Sequence, residues 1–193
     1  MSRCDIRLWT MGRWEPGSEG RLRQAAMELY VARGYEQTTV ADIAERAGLT
    51  SRTFFRYFAD KREVLFAGSQ ELEREMIEAL PDDAPPMQAV AAALDAAGRR
   101  LGGHRDFSRA RQTVIESSAE LRERELIKLA SLASELAVAL RRRGVPDPQA
   151  GLAAEAGIAV FRVAFARWLA EDPERPLTEV MRESFAQLTA LAR

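Results

Sequence analysis

From residue 18 onward, apolar positions recur every three to four residues, the spacing of one buried helical face. No stretch keeps the two-residue alternation of a half-buried strand. The first segment carries Leu22, Ala25, Ala26, Leu29 and Tyr30 on one side, with Ser18 placed as its N-cap. Gly34 stands where a left-handed residue ends a helix, and Tyr35 follows as the apolar partner one position on. Thr39-Val-Ala-Asp42 reads as a capping box that opens a short second helix, with Val40, Ile43, Ala44 and Ala47 inward and Gly48 as its stop. Thr50 or Ser51 caps a third helix running to about Phe58. Asp60-Lys-Arg-Glu63 has the form of another box and predicts a longer helix through about Leu80, where Pro81, Pro85 and Pro86 break the pattern. Further helices are predicted over roughly 87–101, 106–117, 119–143, 148–171 and 177–192, the fourth of them with Asp147 as N-cap and Pro148 as first helical residue. The fold class read from this pattern is all-α. A flexible arm (1–17) precedes a three-helix, helix-turn-helix unit (18–66), and a helical bundle (67–193) follows.

The segment from Thr39 to Phe58 is the most informative in the chain. Ala44 is small where two short helices cross, Gly48 suits the positive φ of the turn, and Leu49 plugs the core beneath it. At ~100° per residue, the third helix places Phe54 and Phe58 on one side, and Ser51, Arg52, Phe55 and Arg56 on an arc of the other. An Arg side chain donates two hydrogen bonds to guanine O6 and N7 in the major groove, and an apolar ring meets the thymine methyl. Ser51, Thr53 and the first-turn backbone N–H groups suit phosphate, as do Thr39 at the preceding helix start and Lys61 at the next one. The plainer alternative is a helical hairpin that is Arg-rich because the whole protein is. The coincidence of cap, glycine turn, core pattern and Arg-Phe-Arg face favours DNA.

Composition narrows the alternatives without supplying a function. With 193 residues, 47% of them hydrophobic, the chain can bury a substantial core. The net charge of −1 makes it no general polycation. Residues 1–66 hold 11 basic and 9 acidic residues against 17 and 20 in the remainder, an asymmetry compatible with nucleic acid at one end but too small to establish it. No apolar run approaches the ~20 residues of a membrane span, and the first residues lack the form of a signal peptide, so a cytoplasmic protein is expected. One His and one Cys, with no metal-ligand spacing and no glycine-rich phosphate loop, leave an enzyme little to work with, and no metal or cofactor is expected. A carboxylate-only enzyme and a helical adaptor binding only protein are the rival classes.

Residues 20–66 resemble the DNA-binding domain of the TetR (tetracycline-repressor) family of bacterial regulators. The resemblance is carried by Ala-Ala-x-x-Leu-Tyr with Gly34-Tyr35, by Thr38-Thr39-Val-x-x-Ile-Ala-x-x-Ala-Gly48, and by Thr53-Phe-Phe-Arg-Tyr-Phe58 followed by Asp60-Lys61-x-x-Val-Leu65. It implies a homodimer on a palindromic double-stranded operator and a small-molecule effector in the C-terminal bundle, with repression the simpler mode. Carried over by position, it puts Ser51, Arg52, Thr53, Phe55, Arg56 and Tyr57 at or near DNA, and Thr39 and Lys61 at phosphates. Where the family commonly has Tyr, this chain has Phe55, which lacks the hydroxyl for a hydrogen bond to phosphate or base.

The remaining features are less specific. Ala153, Ala154, Gly157, Phe161, Phe165 and Trp168, with Leu177, Val180, Met181, Phe185, Leu188 and Leu191, offer more apolar surface on the last two helices than one chain is expected to need. That fits the four-helix dimer interface the resemblance implies. The effector is expected to be mostly apolar. Arg162 and Arg167 read either as ion pairs of a pocket or interface or as solvated side chains, and His104 as a loop residue. In the arm, Arg3, Arg7 and Arg13 with Trp9 and Trp14 suit either the minor groove or a frayed terminus, and Met11 is an alternative start to Met1.

Overall fold

Capping chemistry and positive-φ glycines set the boundaries of the first helices. The computed structural model describes residues 17–171 and 174–191, so the arm residues Arg3, Cys4, Arg7, Trp9, Arg13 and Trp14 lie outside the described residues. Every regular element among those described is helical. α1 (Ser18–Arg33) takes Gly17 rather than Ser18 as N-cap, and no side chain closes its first turn. It buries Leu22, Ala25, Ala26, Met27 and Tyr30, and ends at Gly34 with φ 88° and ψ 157°. That backbone turns sharply outward rather than coiling left-handed, and the Thr38 hydroxyl closes the corner by donating to the Gly34 carbonyl at 2.8 Å. α2 (Val40–Arg46) and α3 (Ser51–Tyr57) follow, joined through Gly48 at φ 66°.

The long helix predicted from Asp60 is absent. The Asp60 carboxylate does accept the N–H groups of Arg62 and Glu63, at 2.8 and 3.1 Å. The helix it opens is a single 3-10 turn, Glu63–Phe66. Val64, Leu65 and Phe66 are all buried, and three consecutive inward residues sweep through about 200° of an α-helix at ~100° each, too wide for one buried stripe. Gly68, at φ 87°, then restarts the chain as α4 (Ser69–Glu78). The contacts of the chain divide at this joint, into one unit ending at Ala67 and another beginning at Gly68.

In the second unit, α5 (Pro86–Gly102) packs against α4, α8 (Asp147–Ala170) and α9 (Leu177–Leu191). α6 (Arg105–Glu116) leans on α7 (Ala119–Arg142), which packs along α8. The core gathers Val90, Leu94, Leu136, Leu140, Ile158, Phe161, Trp168, Val180 and Met181. It therefore takes up Ala153, Ala154, Phe161, Trp168, Leu177, Val180 and Met181, which the sequence reading had offered to a partner. On α8 and α9 the large apolar residues that stay exposed are Leu152 at 73%, Val163 at 54% and Leu191 at 86%. α8 starts one residue early, at Asp147 with Pro146 as N-cap, and the Asp147 carboxylate binds Arg141 at 2.8 Å instead of capping the backbone. Arg167 binds Glu171 at 2.9 Å and Ser184 at 3.1 Å, and Arg175 reaches Glu171, Glu179 and Glu183, so these arginines tie α8 to α9. Hydrogen bonding from Arg175 holds the Glu183 carboxyl below its ordinary range. No helix among the described residues is long and apolar enough to cross a membrane.

Two glycines let these helices approach closely. A Cβ on Gly157 would lie 2.5 Å from Val90 Cγ1, and one on Gly98 would lie 3.0 Å from the Thr178 Cα. The second contact is backbone, so α9 would have to move. Gly98→Ala should therefore destabilise the protein by about 1 kcal/mol net, because overpacking (about 1–3 kcal/mol) outweighs the ~1 kcal/mol gain in helix propensity. Gly151→Ala, with nothing within 4 Å of the new Cβ, should stabilise it. Urea unfolding followed by circular dichroism checks the opposite signs.

Candidate nucleic-acid interface

Two capped ends and one glycine turn hold α2 and α3 in place. The Thr39 hydroxyl accepts the Asp42 N–H at 3.2 Å, while the Asp42 carboxylate accepts from the Thr39 N–H at 2.8 Å and from its hydroxyl at 2.6 Å. Arg33 adds an ion pair to Asp42 at 2.5 Å. The bond from the Thr39 hydroxyl leads the influences that hold the Asp42 carboxyl below its ordinary range. At the far end of α2, Arg21 donates to the Ala47 carbonyl at 3.3 Å. After Gly48, the Leu49 N–H returns to the Ala44 carbonyl at 2.8 Å, and the Thr50 hydroxyl accepts the Thr53 N–H at 3.2 Å. Leu49 is half-buried, a partial plug.

α3 divides as its spacing predicts. Phe54 is fully buried and Phe58 nearly so, their ring centroids 5.4 Å apart. On the outer side Arg52 and Arg56 are exposed, with Phe55 at 58% and Tyr57 at 40% on either flank. Arg56 donates to the Tyr57 hydroxyl at 3.0 Å, and its guanidinium carbon lies 4.8 Å from that ring centroid. Tyr57, carried over from the family pattern alone, thus orients Arg56.

Of the other expected contact residues, Thr39, Thr53 and Lys61 are already engaged in local structure. Thr39 is committed to its capping box, and the Thr53 hydroxyl lies 3.1 Å from that of Thr50. Ser51 is the first residue of α3 and half-buried. Lys61 donates to the carbonyls of Tyr35 and Thr38 at 2.9 and 3.0 Å and lies 4.2 Å from the Tyr35 ring centroid. The Tyr30 hydroxyl donates to the Lys61 carbonyl at 2.6 Å, and burial pushes that phenol up. Lys61 therefore staples the loop after α1 to the loop after α3. Neither this staple nor the role of Arg21 is legible in the sequence, because both bind carbonyls far along the chain and leave no short spacing to detect.

The second unit carries a different feature. A cleft of about 640 Å³ between α4 and α5 is lined by Glu75, Glu78, Ala79, Ala96, Arg99 and Arg100. Its lining is charged, with Arg100 paired to Glu75 at 2.5 Å, and it differs from the apolar pocket anticipated for an effector. Among the described residues, no cluster of His, Cys, Asp and Glu has the makings of a metal site.

Two short helices joined by a glycine turn, the second with a buried aromatic side and an exposed Arg face, have the arrangement of a helix-turn-helix unit. The sequence matches a family model described as bacterial regulatory proteins, tetR family, over residues 22–67, and one described as the MftR C-terminal domain over 84–192. The chain belongs to the TetR family of bacterial regulatory proteins. It is 40% identical over 89 residues to the HTH-type transcriptional regulator TcmR of Streptomyces glaucescens, a match covering 45% of this chain and 38% of that protein. The chain thus spans well under half the length of the curated relatives it matches. The fold is similar to that of the transcriptional regulator FadR from Bacillus subtilis in complex with stearoyl-CoA, with a TM-score of 0.60 and 22% identity over 87% of this chain and 96% of that one. It is also similar to that of Thermus thermophilus FadR, a TetR-family transcriptional repressor in complex with lauroyl-CoA, with a TM-score of 0.55 and 25% identity over 89% and 93%.

The capping box gives a pH-dependent prediction. Thr39→Ala should cost about 1 kcal/mol. The Asp42 carboxyl is depressed on folding, so its contribution is present above the unfolded value near ~3.9 and lost as pH falls through the folded value. The difference between variant and wild type should therefore narrow in acid. Amide hydrogen exchange in α2 across that range reads it, and a gap independent of pH would separate Asp42 from the cap.

Proposed function

We propose that this chain is a transcriptional repressor rather than an enzyme. In this reading it acts in the cytoplasm, binds a palindromic operator as a homodimer and leaves it on taking up a small molecule. Residues 18–66 form the DNA-binding domain and 67–193 the effector and dimerisation domain. The observation that carries the reading is the outer face of α3, where Arg52 and Arg56 stand exposed on a helix whose other side is locked by Phe54 and Phe58. A rigid helix that offers two guanidiniums fits the major groove, where each can pair with a guanine edge. Ser51 and Thr53 at the start of α3, Thr39 at the start of α2, Tyr57 and Lys61 then lie at phosphates. Since Thr39 already holds a cap, Thr53 is bonded to the capping Thr50 and Lys61 forms a staple, part of their contribution is to keep backbone N–H groups presented to phosphate oxygens.

The dimer forms through α8 and α9, and exposed Leu152, Val163 and Leu191 supply its apolar contacts. A two-fold partner would present a second α3, and half-sites would lie about 34–36 Å apart or at multiples of that spacing. The effector is a small molecule with a largely apolar body. The two FadR neighbours hold acyl-CoA thioesters, and Leu72, Leu101, Leu129 and Phe165 border the core of this bundle half-buried. The charged α4–α5 cleft suits a polar head group better than an acyl chain.

Selection of bound duplexes from a random pool, followed by titration at several salt concentrations, tests the reading. A palindromic consensus and affinity that falls steeply with salt are expected. Arg52→Ala or Arg56→Ala should weaken the selected site by about 1–3 kcal/mol and relax its sequence preference. Lys61→Ala should weaken all duplexes alike, flatten the salt slope and loosen the fold of the first unit. Equally selective binding by both arginine variants would remove the base-reading assignment, and the absence of binding to any duplex would remove the function.

A further inference from the structure

Phe55 is an anomaly on α3. It is 58% exposed, on a helix whose adjacent Phe54 is completely buried. The two rings meet edge to face, with centroids 5.5 Å apart and planes at 83°. Phe54 therefore fixes one side of the Phe55 ring and leaves the rest in water. An apolar ring held in that way pays hydration in the free protein and gains by burial in a partner. Its surroundings restrict that partner. Arg52 and Arg56 are exposed on the same helix and the second exposed aromatic, Tyr57, turns its hydroxyl to Arg56, so the ring is an apolar spot beside two guanidiniums. A protein interface built around an aromatic anchor gathers other apolar groups and sheds charge at its centre. The major groove offers the opposite combination, a rim of phosphates enclosing polar base edges, with a single apolar group, the C5 methyl of thymine.

Resting on the DNA-binding reading above, we propose that Phe55 is a specificity residue that reads a pyrimidine C5 methyl, and so selects a T·A pair beside the base contacted by arginine. A phenylalanine has no hydroxyl to place on phosphate or on a base edge, so what its ring can offer a groove is apolar contact of this kind. The methyl, rather than the Watson–Crick identity of the base, is the recognised feature.

The test uses the full-length protein and duplexes selected from a random pool. Each thymine of the consensus half-site is replaced in turn by deoxyuridine, which removes the methyl and leaves every hydrogen-bonding group unchanged. One position should lose roughly fourfold in affinity per half-site, the equivalent of one buried methylene-sized group. 5-Bromodeoxyuridine, whose halogen is about methyl-sized, should restore it there. In Phe55→Ala that deoxyuridine penalty should vanish, whereas Phe55→Tyr, which keeps the ring, should retain it. Circular dichroism and retained binding to the unmodified site confirm that both variants fold. Equal affinity for thymine and deoxyuridine at every position overturns the inference while leaving DNA binding intact. So does a penalty that persists in Phe55→Ala, since another group then reads the methyl. Failure to bind any duplex defeats the DNA-binding reading itself and is told apart by the selection step.

Discussion

Seven residues do not make a stable helix in water, because nucleation alone exceeds what two turns of hydrogen bonds return. α3 persists because Phe54 is buried beneath it, with Phe58 against it and the Thr50 cap at its start. Full burial of such a ring is worth about 1.5–3 kcal/mol, comparable with the remaining terms that hold so short a segment. The orientation of everything on the outer face follows from this anchor. Arg52, Phe55 and Arg56 take their directions from a helix whose rotation is fixed by where Phe54 and Phe58 go.

The same dependence on distant partners runs through the first unit. α2 is also seven residues long, and it is held by Thr39 and Asp42 at one end and by Arg21 from α1 at the other. Arg46 reaches back to Glu28 at 2.6 Å. Lys61 joins the loop after α1 to the loop after α3 through two carbonyls and the Tyr35 ring. These polar contacts satisfy backbone groups that short helices leave open, in a unit too small for helix hydrogen bonds alone. A residue that secures the scaffold in this way supports the proposed DNA recognition by holding α3 still, without itself having to touch phosphate.

The second unit solves a different problem. Its helices are long, reaching 24 residues in α7 and α8, and they sustain themselves by packing. Small residues set how closely they pack: Gly98 admits the α9 backbone and Gly157 admits Val90. The bundle thereby places much of the apolar side of α8 and α9 inward and leaves only scattered large residues outside. Arg167 and Arg175 fasten the two helices with carboxylates from both.

Local chemistry in the sequence was sufficient for the all-helical class, the capping box at Thr39, the glycine turn at Gly48 and the inward and outward faces of α3. Each depends on residues within about one helical turn of one another, so spacing reveals them. The tertiary structure decided what depends on partners far along the chain. It ended the helix after Asp60, because Val64, Leu65 and Phe66 all turn inward and Gly68 breaks the winding. It gave Asp147 to Arg141 rather than to a cap. It engaged Lys61 with the Tyr35 and Thr38 carbonyls, and it took into the core most of the apolar residues that periodicity alone offers to a partner. Periodicity tells which face of a helix is apolar. Only packing shows how much of that face the chain consumes itself.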